Sequence, residues 1–467
     1  MLDAVLVGIV VFACEFIETW FSYPMTTRPL IVGTAIGIAL GDVSTGVSCG
    51  ASLELVFMGV MAIGGTVPPD ACAGTAVGTA YAILMGQGIE TAFTLAIPAS
   101  ILCQMLFVPF VALRSLWSPL IDRFVNEGNY KGLQWMMPIV SATTHLPKAL
   151  VCGSAVAIGS VAVQGIIDSI PQVFLDGMSV ASGMLAAVGF GLLLKMMWTK
   201  KLAVYYFLGF IMAAYGGLPL MAIAIIGILL VIILYLRERW QNADSRPYRW
   251  TQMRRNCSMI KDKLNLTKDE KKMCFQIALR SHTMSAPYNW EKMQALAFLY
   301  TMIPVINRLY PDKKDRIEGY QRHWELFNTT PTVSGFITGL AASMEKQGAE
   351  DPNFDKASIN AVKASLMGPF AGIGDSIFQS SWRVITMGIG LSLAAGGNIL
   401  GPIVFLVLYN ALAVVVRFAG PYIGYGLGSK FMEQAEESGI MSFVTKAASI
   451  VGLMTVGAMT ATMVTCN

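Results

Sequence analysis

From Gly50 to Asp70 the chain reads GASLELVFMGVMAIGGTVPPD. This apolar stretch carries one ionisable side chain, Glu54, near its start. It breaks at Gly64-Gly65 and delivers a second carboxylate, Asp70, through Pro68-Pro69. A carboxylate inside an apolar membrane segment costs about 2.5–3.5 kcal/mol on insertion scales, and by default it marks a site or a pathway. The alternative is a carboxylate packed against a neighbouring helix or lying at the lipid interface. Either way, non-helical backbone at this depth must be buried in protein or line a wet cavity.

Composition widens the constraint to the whole chain. Of 467 residues, 55% are hydrophobic and only 13% charged, against about 25% charged in a globular average. That balance excludes a soluble domain and points to an all-α polytopic membrane protein. The 8 cysteines show no CxxC spacing, so neither a disulfide framework nor a metal site is expected. The N-terminal MLDAVLVGIVVFACEF has no basic n-region and reads as a retained segment, not a cleaved signal.

A spanning helix needs about 20 apolar residues. Candidate runs in the first half are Ala4–Trp20, a Gly-rich run from Arg28 to Asp42, the Gly50 stretch, Ala73–Met85, Thr91–Leu113, Ala149–Ile167, Met178–Trp198, Leu202–Ala214 and Leu218–Leu236. Several are short and interrupted by Gly or Pro, which favours re-entrant hairpins. Trp198 and Trp240, with basic neighbours, read as interface anchors. The stretch from Arg237 to Lys272 is dense in Lys and Arg, which places it in the cytoplasm by the positive-inside rule. Because its charges flank membrane spans, it does not suggest nucleic-acid binding.

This basic loop divides the chain into a membrane domain over 1–240, a linker over 241–266 and a second domain over 267–467. The second domain opens on amphipathic helices over 267–327. Thr267 to Glu270 fits a capping box, Asn289 is a candidate cap for a further helix, and Asp312 to Glu325 forms a charged third one. Apolar runs then return at Val333–Ala342, Ala364–Ile377, Val384–Ala395, Ile399–Val416 and Ile440–Val464. The two halves echo each other. Thr26-Thr27-Arg28-Pro29 and Asn328-Thr329-Thr330-Pro331 each open a short broken segment, and Gly41-Asp42 recurs as Gly374-Asp375. Broken segments in corresponding positions of two halves point to a transporter binding site.

The polar groups set among Gly, Pro and apolar residues are Glu54, Asp70, Asn328 and Asp375. Carboxylates and amides suit the hydroxyls of an uncharged sugar, and Trp290, Trp382 or Phe378 could cover its apolar face. No HExxH, Walker A or Ser-His-Asp signature is present, so ATP-driven transport is disfavoured and no cofactor is expected. His145, His282 and His323 read as packing or hydrogen-bonding residues. A proton- or ion-coupled carrier using Glu54 and Asp70 is the rival reading, and a non-transporting receptor or scaffold is a third.

The first half resembles the IIC membrane subunit of the mannose-family sugar phosphotransferase systems. The resemblance rests on RPLIVGTAIGIALGD (Arg28–Asp42), TGVSCGASLELVFMGVMAIGG (Thr45–Gly65) and PPDA (Pro68–Ala71). The second half resembles the IID subunit through NWEKMQALAF (Asn289–Phe298), RLYP (Arg308–Pro311), RHWELFNTTP (Arg322–Pro331), SLMGPFAGIGDSIF (Ser365–Phe378), GPIVFLVLYN (Gly401–Asn410) and YGLG (Tyr425–Gly428). It implies a fused IIC–IID permease in the bacterial cytoplasmic membrane, assembling among membrane lipid as a homo-oligomer, commonly a trimer in the family, and moving sugar by an elevator-like step. The phosphoryl donor would be a phosphohistidine on a separate IIB protein, charged through IIA and the general carrier HPr.

Carried onto this chain, the resemblance puts Glu54, Asp70, Asn328 and Asp375 at the sugar. Arg28, Thr27, Trp290 and Phe378 would support them, and Asp375 or Glu54 would stand nearest the hydroxyl that receives phosphate. Phe21–Leu30 departs from the Gln/Phe/His-containing stretch of the mannose members, which opens the substrate to other hexoses or amino sugars. The family's IID continues with a further polar segment and helix beyond the position of Asn467, so a C-terminally shortened IID half is expected.

Overall fold

The computed structural model describes residues 1–58, 69–169, 200–243, 266–427, 449–458 and 460–461. The Gly64-Gly65 break, the run at 178–198, most of the basic linker and the outer parts of the last apolar run lie outside the described residues. Among those described the chain is helical, with only isolated bridges joining Met293 to Asn289 and to Phe327.

The first half begins with α1 (Leu2–Trp20), then α2 (Pro29–Leu40) and α3 (Val43–Phe57), followed by α4 (Ala71–Met85) and α5 (Gly88–Arg114). Pro29 starts α2 because its fixed φ fits the first helical turn. Gly41, at φ 84°, ends it, and Asp42 caps α3 by accepting from the Thr45 N–H at 3.0 Å. The two helices return on each other in near backbone contact. A Cβ on Gly33 would lie 2.6 Å from the Gly50 Cα, and one on Gly46 would lie 2.5 Å from the Gly37 Cα. Small residues let helix backbones approach this closely, the packing favoured where lipid supplies no hydrophobic drive. Helices α4 and α5 form a second hairpin of the same kind, with Gly74 and Gly78 against Ala96 and Ala92.

Next come α6 (Ser118–Glu127), α7 (Tyr130–Ser169), α8 (Ala203–Ala214) and α9 (Leu220–Ala243). The apolar run expected from Ala149 is only the distal part of α7. The helix starts a full polar segment earlier, at Tyr130, because its half towards α6 is buried through Leu133, Met136 and Val140.

The second half holds α10 (Lys268–Ser281), α11 (Ala295–Leu309), α12 (Lys313–His323), α13 (Ser334–Glu350) and α14 (Ser358–Gly374). A π-helical segment, Asp375–Trp382, leads into α15 (Arg383–Ala394) and α16 (Leu400–Leu427), and α17 (Ser449–Ala458) follows. The Thr267–Glu270 capping box forms with both of its hydrogen bonds. Lys346 from α13 donates to Glu270 at 2.8 Å, and that ammonium beside it pulls the Glu270 carboxyl down to about 2. Asn289 does not cap α11. Its side chain accepts from the Lys292 N–H at 2.7 Å, closing a local turn, and the helix starts at Ala295 once Gln294 has been diverted to another task.

Of the described helices, Leu400–Gly426 alone is long and apolar enough to cross a membrane by length and composition. The others that are apolar are shorter or carry charge, and they are stabilised in pairs. One large core runs through both halves, joining Leu30, Met58, Leu133 and Met136 to Phe298, Phe327, Phe405 and Tyr409. A second lies within the first half around Val7, Val11, Ile36, Cys72 and Tyr81.

Candidate functional site

The two halves lock together through the segment between α1 and α2. Ser22, Tyr23 and Met25 all have positive φ, 56°, 62° and 73°, a backbone that costs non-glycine residues about 1–3 kcal/mol each and persists only where the surroundings impose it. Here they do. Glu18 accepts from the Thr26 N–H at 2.6 Å, the Thr26 hydroxyl at 3.0 Å and the Thr27 N–H at 3.4 Å. From the second half, Asn410 donates to the Pro24 carbonyl at 3.0 Å, Arg417 donates to the Ser22 carbonyl, and the Ser22 hydroxyl donates to the His282 carbonyl at 2.7 Å.

Glu54 is fully buried and fully engaged. Arg28 Nε donates to Oε1 at 2.8 Å, and the Leu30 N–H donates to Oε2 at 3.2 Å. The carboxylate therefore sits at the N-terminus of α2, where exposed N–H groups favour negative charge. Arg28 also donates to the Phe57 carbonyl at 3.2 Å. From the second half Arg383 reaches the neighbouring Met58 carbonyl at 3.1 Å, within the field of both Arg28 and Glu54. Thr27 is half-buried.

Asp70 belongs to a separate network. It caps α4 by accepting from the Ala73 N–H at 3.0 Å, and its other oxygen meets Lys148 Nζ at 2.5 Å. Lys148, on α7, also pairs with Glu15 of α1. All three side chains are close to fully buried, so one cation is shared by two carboxylates.

Asp375 meets Thr330, two residues beyond Asn328, whose own N–H donates to Met367 Sδ at 3.1 Å. The Thr330 hydroxyl donates to Asp375 Oδ1 at 2.7 Å and lies 3.0 Å from the Ala371 carbonyl. Gly374 makes this possible, since a Cβ there would stand 2.5 Å from the Thr330 Cβ. The segment is held from behind by Gln294, whose amide takes the Thr329 N–H at 3.1 Å and donates to the Thr329 carbonyl at 2.9 Å. Asn328 and Asp375 are both exposed. Asp375 is also the first residue of the π-helical segment, a departure from α geometry that frequently occurs at functional sites. Phe378, on that segment, is buried at 2% exposure, whereas Trp290 is exposed and packs edge-on to Tyr288.

Of the sequence-derived residues, the fold thus sets Asp375 against Thr330 in the segment that follows Asn328, ties Arg28 to Glu54 beside Arg383, and sets Asp70 apart with Lys148. Pro29 starts the 12-residue α2 directly, whereas Pro331 starts a short turn that leads into the 17-residue α13. The Gly-Asp echo is not an equivalence either: Gly41-Asp42 is a helix junction, whereas Gly374-Asp375 lies inside continuous helix. Sequence reasoning missed Lys148, Arg383 and Arg417. Their signal was available, because a basic side chain isolated in an apolar run requires a carboxylate or carbonyl partner.

Comparison with known proteins follows the same division. Residues 1–233 match the family described as the PTS system sorbose-specific IIC component, and residues 268–467 match the PTS system mannose/fructose/sorbose family IID component. The sorbose-specific EIID component of Klebsiella pneumoniae is 38% identical over 189 residues, covering 40% of this chain and 69% of that protein. The mannose-specific EIID component of Escherichia coli strain K12 is 38% identical over 184 residues, 39% of this chain and 65% of that protein. The mannose-specific EIIC component of the same organism is 30% identical over 225 residues, 47% of this chain and 84% of that protein. A solved complex of the mannose transporter ManYZ with microcin E492 includes a chain 36% identical, with TM-score 0.34, covering 42% of this chain and 70% of that one. The chain belongs to the mannose/fructose/sorbose family of phosphotransferase-system sugar permeases, with a IIC component and a IID component joined in one polypeptide.

Proposed function

We propose that this chain is a multi-pass permease of the bacterial cytoplasmic membrane that carries a hexose or amino sugar inward, coupled to phosphorylation by a separate IIB protein. The observation that carries this reading is the Asn328–Thr330–Asp375 cluster: an exposed amide and an exposed carboxylate, fixed from behind by a buried Gln294 clamp. A carboxylate accepts, and an amide both donates and accepts, so together they match the hydroxyls of a neutral sugar. Gly368 and Gly372, on the helix leading to Asp375, have open space where a side chain would stand. Asp375 is the group nearest the hydroxyl that receives phosphate. Glu54, with Arg28, acts as the fixed wall of the site, and Asp70 acts through its network with Lys148.

The domains on this reading are 1–240, a linker over 241–266, and 267–467. Helices α2 and α3 contain 12 and 15 residues, hence about 18 and 22 Å at 1.5 Å per residue, short of the roughly 30 Å hydrocarbon core. This supports their acting as a re-entrant hairpin. The IIA and IIB phosphocarriers are separate partners, and the permease assembles as a trimer whose core moves in an elevator-like step. An ion-coupled carrier is disfavoured, because Glu54 and Asp70, the carboxylates it would use, are each held by a cation.

The test uses right-side-out and inverted vesicles holding the protein, labelled mannose, fructose and sorbose, and phosphorylated IIB from a close relative on the cytosolic side. Sugar phosphate formed only with phospho-IIB supports the reading. Accumulation of free sugar that a protonophore abolishes would replace it with ion-coupled transport.

A further inference from the structure

Arg383, the first residue of α15, is buried at 4% exposure and stands at the far end of the π-helical segment that Asp375 begins. Its guanidinium donates to the Met58 carbonyl at 3.1 Å. Met58 follows the last residue of α3, and the carbonyl before it, that of Phe57, accepts from Arg28 at 3.2 Å. The C-terminus of α3, where unsatisfied carbonyls carry partial negative charge, is therefore closed by two arginines, one from each half. Glu54 lies one turn back on the same helix and accepts from Arg28 Nε at 2.8 Å.

The segment between Asp375 and Arg383 is pinned at both ends. At its head the Asp375 carboxylate accepts from Thr330 at 2.7 Å. At its tail Trp382 Nε1 donates to the Tyr409 carbonyl of α16 at 3.2 Å, and Arg383 holds Met58. Beyond this point α15 runs antiparallel to α3. Arg383 meets the end of α3, whereas Gly397, just past α15, lies so close to Ser44 at the start of α3 that a Cβ there would run into the Ser44 side chain and backbone. Contact at both ends fixes the register of the two helices. A chain of contacts thus runs from Asp375 of the IID half, along the π-helical segment and Arg383, to the turn of α3 that carries Glu54 of the IIC half.

We propose that Arg383 is a positioning residue for the sugar: by gripping the end of α3 it sets the place of Asp375 relative to the Glu54–Arg28 wall. This rests on the reading of Asp375 as a sugar ligand, and adds the residue that keeps that ligand in register with the IIC half. A guanidinium suits the task. Taking it out of water is costly, and apolar residues of similar volume would pack the same interface without that penalty. What they would not supply is direction, because a hydrogen bond to one carbonyl permits one register, whereas apolar contact tolerates a slide. The π geometry makes the anchor necessary. Its i→i+5 bonds are rare, and a return to α geometry would turn Asp375 about the helix axis relative to α15. An anchor at each end resists that turn.

The experiment is a double-mutant cycle read in equilibrium binding of tritiated mannose, fructose and sorbose to the full chain in lipid nanodiscs, with the thermal midpoint of every variant recorded. Wild type, Arg383→Gln, Asp375→Ala and the double variant are compared on whichever sugar binds wild type. Arg383→Gln is expected to weaken binding about tenfold, the scale of one hydrogen bond. The double variant is expected to bind no more weakly than Asp375→Ala alone, since Arg383 acts through the carboxylate already lost. A residue that serves stability alone would lower the midpoint and leave the affinity of the folded protein unchanged. If Asp375→Ala weakens binding and Arg383→Gln does not, the Arg383 proposal is overturned and the Asp375 site stands. Losses that multiply in the double variant also overturn it, because Arg383 then acts on the sugar by another route. If Asp375→Ala leaves binding unchanged, or wild type binds none of the sugars, the Asp375 reading falls and takes this proposal with it. Should Arg383→Gln fail to accumulate, Arg383→Met, which adds no buried polar group, takes its place in the cycle and is judged by the same outcomes.

Discussion

Thr330 donates its hydroxyl to Asp375 at 2.7 Å across 45 residues of chain, so the carboxylate is oriented by a segment that is itself clamped by Gln294. Among the described residues one hydrogen bond reaches the Asp375 carboxylate, and the side chain is exposed. Asp375→Asn keeps the shape and removes the charge. Hydrogen bonds to charged groups contribute about 1.5–3 kcal/mol, so sugar affinity is expected to fall roughly 10- to 150-fold with little change in thermal midpoint. Equilibrium binding alongside a melting curve separates the two.

Glu54 should behave in the opposite way. Glu54→Gln leaves Arg28 buried without its counter-charge, and breaking a buried pair from one side costs about 3–5 kcal/mol. The expected result is a marked loss of thermal stability that appears with or without sugar. A melting curve of Glu54→Gln that overlays wild type would contradict the geometry.

Lys148 offers a sharper version of the same test. Lys148→Met leaves Glu15 and Asp70 facing each other uncompensated, and the protein should melt well below wild type or fail to accumulate. Adding Glu15→Gln and Asp70→Asn to that variant removes the stranded charges and should recover most of the stability, because replacing a whole buried ionic cluster is often close to neutral.

Acid should weaken the second half through His323. Burial is the main cause that holds this imidazole down to about 4, below its ordinary 6.5, against the opposing pull of Glu345. Its Nε2 lies 2.9 Å from Glu345 Oε1, and Arg322 bonds the same carboxylate at 2.7 Å. The neutral ring with its proton on Nε2 fits this arrangement. The unfolded chain takes up the proton first as the pH falls, so the stabilisation is full above about 6.5 and is lost on the way down through about 4. The shift corresponds to about 3 kcal/mol at most, or several degrees in midpoint. His323→Gln should flatten the pH dependence of melting in that window.

Glycine substitutions distinguish close packing from open space. Gly46→Ala forces a Cβ to within 2.5 Å of the Gly37 Cα, which must splay α2 from α3 and lower stability. Gly372→Ala meets nothing within 4 Å and replaces a helical glycine, a gain of up to about 1 kcal/mol. If the space beside Gly372 receives sugar, Gly372→Leu should weaken binding while leaving the melting curve unchanged.

Much of this molecule was legible in its residues one segment at a time. Helix starts at Pro29, Asp42 and Thr267 follow from local capping chemistry, and the amphipathic helices after the basic linker follow from periodicity. The division into IIC and IID halves is written in long motifs such as RHWELFNTTP and SLMGPFAGIGDSIF. The sequence also named Asn328, Asp375, Glu54 and Asp70 as the polar groups that an apolar chain must account for. It could not say which carboxylate meets which cation. That pairing depends on long-range packing: Lys148 reaches Glu15 across 133 residues, and Arg383 reaches Met58 across 325. Burial then decided the rest. A carboxylate closed off from water must be neutralised by a fixed partner, as Glu54 is, whereas one left at the surface, as Asp375 is, retains free lone pairs for a ligand. Only the tertiary structure assigns each of these chemically identical groups to one fate or the other.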